Sequence, residues 1–234
     1  NEKLVEGRTT DTIIAPFKYG IIAFVVPAPN SDETVSVIER CAGVFNLTYG
    51  RFLDLKKAES QAREAQIEAS LERVRSKTMA MHNSSDVGET VAATFAEFVH
   101  LNISTNRCGI LIFGNDNIAE VWTARAIRGG PAKLITGKLD VDAHKMLRSV
   151  YDAWKAKESF HQYELANDDL KDYYHAINKE KYYPTKFDLN ALPSEEFHTD
   201  FFFPDGAVFS FTNEPIPGEH KKIIQRFASV FGQT

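Results

Sequence analysis

GAVFSFTNEPIPGEHKKIIQRFASVFGQT, residues 206–234, reads against GIIAFVVPAPNSDETVSVIERCAGVFNLT, residues 20–48, without a gap at an offset of 186. Nine pairs are identical: Gly20/Gly206, Pro29/Pro215, Glu33/Glu219, Ile38/Ile224, Arg40/Arg226, Ala42/Ala228, Val44/Val230, Phe45/Phe231 and Thr48/Thr234. The match reaches upstream to Phe17/Phe203. Average residue usage gives about two identities by chance over a stretch this long. Amphipathic helices resemble one another because cores do, but ungapped agreement through a strand, a turn and a helix goes further. So long a period indicates tandem domains, not a solenoid. Residues 1–49 are therefore expected to be the C-terminal part, hairpin plus helix, of one domain copy. Residues 50–82 are expected to be a linker, and residues 83–234 a second copy. The chain opens at Asn1 without an initiator Met or signal peptide, which fits a piece of a longer protein.

Outward from the repeat, residues 11–18 and 20–26 read as strands around a tight turn at Lys18-Tyr19-Gly20, mirrored at Pro204-Asp205-Gly206. Glycine there suits a positive φ. Asn30 with Glu33 suggests a capping box. No proline occurs between Pro29 and Pro131, so helical pattern runs from about Ser31 to Met81. Fifty helical residues would span roughly 75 Å, more than a small domain. Within it, Leu55, Ala58, Ala62, Ala65 and Ala69 form one apolar seam at alternating steps of three and four. Ile67, Leu71, Val74, Thr78 and Met81 form another in a second phase. Such seams mark a coiled-coil face, with a stutter between them. Leu55, Ala62, Ile67, Leu71, Val74 and Met81 are the candidate dimer interface; packing on the helix's own domain is the alternative.

Asn83-Ser84-Ser85-Asp86 breaks and recaps the chain, and Val87, Val91, Phe95 and Phe98 continue as an amphipathic helix. CGILIFG, residues 108–114, reads as a buried strand opening near residue 107, and Ile118–Ile127 as a second; turns are expected at 114–117 and 128–131. A strand near Leu134–Leu139 follows, then a helix through Met146–Trp154, a helical stretch near Leu170–Asn178 and a loop over 182–197. The hairpin 198–212 and the helix 217–231 close the chain. The fold class is α+β: an antiparallel sheet flanked by helices, preceded by a long coiled-coil-type helix.

Composition narrows the function. With 43% hydrophobic and 12% aromatic residues the chain is no disordered segment. A net charge of −5 argues against nucleic acid as the main partner. No apolar run approaches the roughly 20 residues of a membrane span. Two cysteines, Cys41 and Cys108, in apolar surroundings make neither a disulfide framework nor a zinc set. They fit a reducing, cytoplasmic setting, and both are expected unpaired and buried. No HExxH, CxxC, Walker loop or nucleophile elbow occurs, so neither a metal site nor a catalytic residue is assigned.

The order helix, hairpin, inserted helices, two strands, terminal helix resembles a GAF domain. AREAQIEASLERVRSKTMAMHNSSD, residues 62–86, resembles a signalling-helix segment of multi-domain bacterial sensor proteins, notably sensor histidine kinases of the Bacteroidetes type. The resemblance implies a non-enzymatic sensory module that binds a small molecule and relays state through a helical homodimer to a kinase or cyclase output domain in the same polypeptide. The alternative is a structural dimerisation module whose pocket is filled by side chains. Neither cysteine precedes a His, as a bilin attachment would require, and clustered redox cysteines are missing. Thr185-Lys186-Phe187-Asp188 only echoes the cyclic-nucleotide motif of the family. The ligand and any cofactor stay unnamed.

Aromatic residues crowd residues 151–203, interleaved with histidines, and suit either an organic ligand or an ordinary core. Trp122, His144, Tyr151, Trp154, His161 and Tyr174 are the candidate ligand-binding residues. The expected pocket lies between the sheet carrying Trp122 and the helices carrying Tyr151 and Trp154.

Overall fold

The computed structural model describes residues 9–114, 116–127 and 130–233. Asn115, Arg128 and Gly129 of the two expected turns, and Thr234 of the repeat, lie outside the described residues. The chain divides into two compact units at Ala65/Gln66. One helix, α1 (Asp32–Met79), contributes to both.

In the first unit β1 (Thr10–Phe17) pairs antiparallel with β2 (Gly20–Pro27). Phe17 faces Gly20 across a two-residue turn whose Lys18 N–H donates to Asn46 Oδ1 at 3.1 Å, tying the turn to α1. The helix is capped by Ser31, not by the expected Asn30: Ser31 Oγ accepts from the Thr34 N–H, while Asn30 donates to Asp11. Asp32 and Glu33 in the first turn suit the positive end of the helix dipole. Ala15, Ile38 and Ala42 make a small core with Ile13, Ile22 and Val26 packed around it. Ile14, Ile21, Val25, Val44 and Leu47 remain exposed. Cys41, expected in a core, is only half-buried, whereas Cys108 in the second unit is buried; both are free thiols.

The second unit is a six-stranded antiparallel sheet with helices on both faces. Its strands are β3 (Arg107–Phe113), β4 (Ile118–Ile127), β5 (Gly130–Asp140), β6 (Phe160–Ala166), β7 (Glu195–Phe203) and β8 (Gly206–Thr212), in the order β5-β4-β3-β8-β7-β6. The helices are α2 (Ser84–His100), α3 (Lys145–Lys155), α4 (Asn167–Lys179) and α5 (Gly218–Phe231). Strand alternation sorts the side chains between two cores. On one face Cys108, Ile110, Trp122, Ala124 and Val208 pack with α2, α5 and the end of α1. On the other, Leu111, Phe113, Val121, Phe209 and Phe211 pack with α3 and α4. The edge strand β6, with one side chain in seven buried, lacks the apolar signature of a strand and is not anticipated from the sequence.

The expected linker is thus only half a linker. Ile67, Leu71 and Val74 are buried in their own unit among Val91, Phe98 and Phe227, so these candidate interface residues are not open to a partner. Arg73 reaches Glu97 with two hydrogen bonds of 2.7 Å and fastens this part of α1 to α2. Met81 is half-buried, while Leu55 and Ala62 are exposed. The cap of α2 follows the expectation: Asn83 Oδ1 accepts from the Asp86 N–H at 3.3 Å, and Asp86 Oδ2 accepts in return from the His82 and Asn83 N–H groups.

The two hairpins share one register. Phe203↔Gly206, Phe202↔Ala207 and Phe201↔Val208 repeat Phe17↔Gly20, Pro16↔Ile21 and Ala15↔Ile22 at the same offset. Neither hairpin glycine has a positive φ, and only Gly206 answers to crowding. A Cβ on Gly206 would come within 1.8 Å of the Leu111 carbonyl oxygen of the adjoining β3. One on Gly20 would meet nothing closer than the Phe17 ring at 3.6 Å.

Candidate functional site

Arg107 opens β3 and points to the face of α3 and α4. Its cross-strand neighbours are Arg125 on β4 and Phe211 on β8. Arg125 faces Lys133 on β5, and Phe211 faces His198 on β7. One row across the sheet therefore reads Lys133, Arg125, Arg107, Phe211, His198. Three cations side by side on adjacent strands repel one another, so the row needs a reason in the structure.

Part of the reason is the setting of Arg107, which is only 6% exposed. Its guanidinium lies 3.7 Å from the centre of the Phe211 ring, with the rings of Tyr174 and Phe187 at 5.2 and 5.1 Å. Such contacts are attractive and strengthen when desolvated. Glu196 Oε2 is 3.7 Å from Nη2, too far for a hydrogen bond, and accepts instead from the Tyr174 hydroxyl. Nη2 is buried without a hydrogen-bond acceptor. Burial opposes the charge of Arg107, neighbouring negative charge favours it, supplied at ordinary pH by Glu196, and the pKa lies above the ordinary guanidinium value. Burial also pushes the Tyr174 phenol up, so it stays protonated and donates.

Arg107 floors a cleft of about 620 Å³ at the end of the sheet. Its walls are Asn106, Arg125, Tyr174, Glu196, Asn213 and the segment from Lys186 to Pro193 that follows α4. That segment is held by Asn178, which accepts from the Phe187 N–H at 2.8 Å and donates to the Phe187 carbonyl at 2.9 Å. Phe187 thereby stands over both Arg107 and Arg125, the latter 5.6 Å from its ring. Deeper, between the sheet and α3 and α4, lies a cavity of about 20 Å³ that also touches Arg107. This is room for about one water. His198 stands beside it, its Nε2 3.0 Å from Asp200 Oδ1 and its Nδ1 without a partner.

The six residues singled out from the sequence do not share one pocket. Trp122 faces the core of α2 and α5, whereas Tyr151 and Trp154 belong to the opposite face, where both rings pack on Phe113. Neighbouring positions of a strand point to opposite faces, and Val121, not Trp122, turns towards α3. The expected pocket between them therefore does not exist. Trp154 donates to the Pro204 carbonyl at 3.1 Å. His144 caps α3, accepting from the Met146 N–H at 3.1 Å through Nδ1, with Nε2 3.2 Å from Asp169. His161 lies 3.1 Å from Ser149 Oγ. Tyr174 alone of the six lines the cleft. Arg107, Arg125, Phe187 and Glu196 were not anticipated. The available signal was Arg107 itself, a charged residue opening an otherwise apolar strand.

Among the described residues, no group of three or more His, Cys, Asp or Glu side chains is placed to hold a metal ion. No helix among them is long and apolar enough to cross a membrane. No protein-family description matches the chain, and no curated protein matches it. Among solved structures, the chain is similar to the A. aeolicus nlh2 GAF domain crystallised in an inactive state. The likeness is at 6% identity with a TM-score of 0.41, over 73% of this chain and 96% of that one.

Proposed function

We propose that the second unit is a GAF-like, non-enzymatic sensory module that binds a small molecule in the cleft floored by Arg107. It passes its state into α1, within a cytoplasmic multi-domain signalling protein of the sensor histidine kinase type. The observation that carries this reading is the cleft: preformed, with the rings of Tyr174 and Phe187 in its wall, and floored by a buried cation whose Nη2 donates no hydrogen bond. A volume of about 620 Å³ falls within the usual range of small-molecule sites. A route to α1 is also present. Arg107 faces the cleft, while Cys108 and Ile110 of the same strand share the opposite core with Leu71 and Val74 of α1. A ligand that shifts β3 would bias the seating of that helix, provided it binds the two seatings with different affinity. Two copies would pair through the exposed part of α1, including Leu55 and Ala62.

The second reading, a structural dimerisation module, is favoured by one observation: the cavity beneath α3 and α4 measures only about 20 Å³. A thermal-shift screen of metabolites on the full chain separates the two. A ligand at a hundred times its dissociation constant adds about 2.7 kcal/mol of stability. The sensory reading expects such a shift and its loss when Phe187 or Arg125 is replaced. A flat response across purines, cyclic nucleotides, amino acids and aromatic metabolites supports the structural one.

A further inference from the structure

The charged groups that reach the cleft are not equally well partnered. Lys186 Nζ donates to the backbone carbonyls of Asn178 and Glu180. Asp188 Oδ1 accepts from the Asn190 N–H at 2.9 Å. Glu196 accepts from Tyr174. Two positive groups keep hydrogen-bonding capacity to spare. Arg107 is ion-paired with Glu196 at 3.7 Å, but its buried Nη2 donates no hydrogen bond, and Arg125 is exposed at the rim with the Phe187 ring as its neighbour and no ion pair among the described residues. They are adjacent on one cross-strand row, with Lys133 next in line on the same face.

A buried N–H of a guanidinium without an acceptor is costly, and an arginine cannot escape the cost by losing its proton. Cross-strand cations add repulsion. Both costs fall when one anionic group sits between Arg107 and Arg125 and accepts from each. The surroundings fix what the anion is attached to. Phe187 and Tyr174 offer ring faces and edges, and Ala191, Leu192 and Pro193 give an apolar rim. Resting on the reading that this cleft is the ligand site, we infer that its ligand is an organic anion: a carboxylate or phosphate ester carried on a flat, apolar body. The anion is held by Arg107 and Arg125, and the flat body lies against Phe187. Glu196 accepts from Tyr174 and stands 3.7 Å from Nη2 as an ion-pair partner that makes no hydrogen bond to it.

Calorimetric titration of the full 234-residue chain with four probes tests this: 2-naphthoate, 2-naphthyl phosphate, 2-naphthamide and 2-naphthamidine. The expected result is that at least one of the two anions binds at least tenfold more tightly than the neutral amide. The amidine should bind no more tightly than the amide. Charge-assisted hydrogen bonds set that scale. Which anion prevails separates a carboxylate ligand from a phosphate ester. In R125Q, an exposed change that leaves the core intact, the preference for the anion should fall about tenfold with the amide unaffected. F187A should weaken acid and amide alike. Binding of the amide or amidine as tightly as the anions would overturn the anionic class while leaving the cleft as a ligand site. Failure of all four probes would overturn both the class and the reading beneath it.

Discussion

Arg107 shows how much one residue can organise. A guanidinium keeps its charge at any pH the fold survives, so it must be surrounded, not neutralised. Three rings and Glu196 do this, with the Tyr174 hydroxyl completing the carboxylate. Removing one member of a buried pair leaves the other uncompensated, which costs about 3–5 kcal/mol. R107M is expected to destabilise the chain by that order, and the double variant R107M/E196M to recover most of it, as read from urea unfolding. Equal losses in the single and double variants would show that the two side chains are not coupled.

His144 gives a second expectation at this scale. Burial holds its imidazole below the ordinary value; Asp169 pulls the other way and Lys145 adds to the lowering. The folded state therefore binds a proton less readily than the unfolded one. The contribution to stability is complete above the unfolded pKa of about 6.5 and is lost as pH falls through the lowered folded value. Protonation also removes the acceptor that caps α3. Urea midpoints measured at pH 7.5 and 5.5 should differ more in the wild type than in H144Q. A pH dependence unchanged by the substitution would refute the assignment.

Among the elements, α1 separates what periodicity can tell from what it cannot. Apolar residues at steps of three and four in 67–81 reveal a buried face, and the face is buried. Periodicity does not say against what: Ile67, Leu71 and Val74 are covered by α2 and α5 of their own unit. L71A is therefore expected to cost about 2–5 kcal/mol of unfolding free energy in the monomer, whereas L55A, at an exposed position, should change it by less than about 0.5 kcal/mol. The opposite order would return residues 67–74 to an intermolecular seam. The strands divide in the same way. β3 and β8 are apolar almost throughout and readable as strands. β6 sits at the edge and buries little, so its sequence has no strand signature to show. The candidate site was legible only through Tyr174, because its floor is made by residues from β3, β4, β7 and the segment after α4. Cross-strand register brings them together, and no spacing in the sequence records that.

For the whole molecule, the internal repeat is the feature that links its two units. The hairpins share a register, but among the described residues only the second has neighbouring strands, and only there does glycine meet a carbonyl at the turn. The counterparts of Val44 and Phe45 in the second unit, Val230 and Phe231, are 3% and 7% exposed; Val44 and Phe45 themselves are 62% and 56% exposed. An apolar side chain left in water forfeits roughly 1.5–3 kcal/mol, which favours a cover for that face. If a second copy supplies it, light scattering at micromolar concentration should give twice the 26.3 kDa of the chain. The substitution L55E with V44E should then return the mass to that of one chain without lowering the stability of the second unit. A wild-type mass near 26.3 kDa at all concentrations would exclude this arrangement.

The central claim is that the space floored by Arg107 is a ligand site. A crystallographic fragment screen on the full chain tests it most directly, because it needs no prior choice of ligand. Bound fragments should concentrate in the cleft of about 620 Å³, with the acidic ones bridging Arg107 and Arg125 and their rings against Phe187. A screen in which fragments settle elsewhere on the molecule and leave that cleft empty would contradict it.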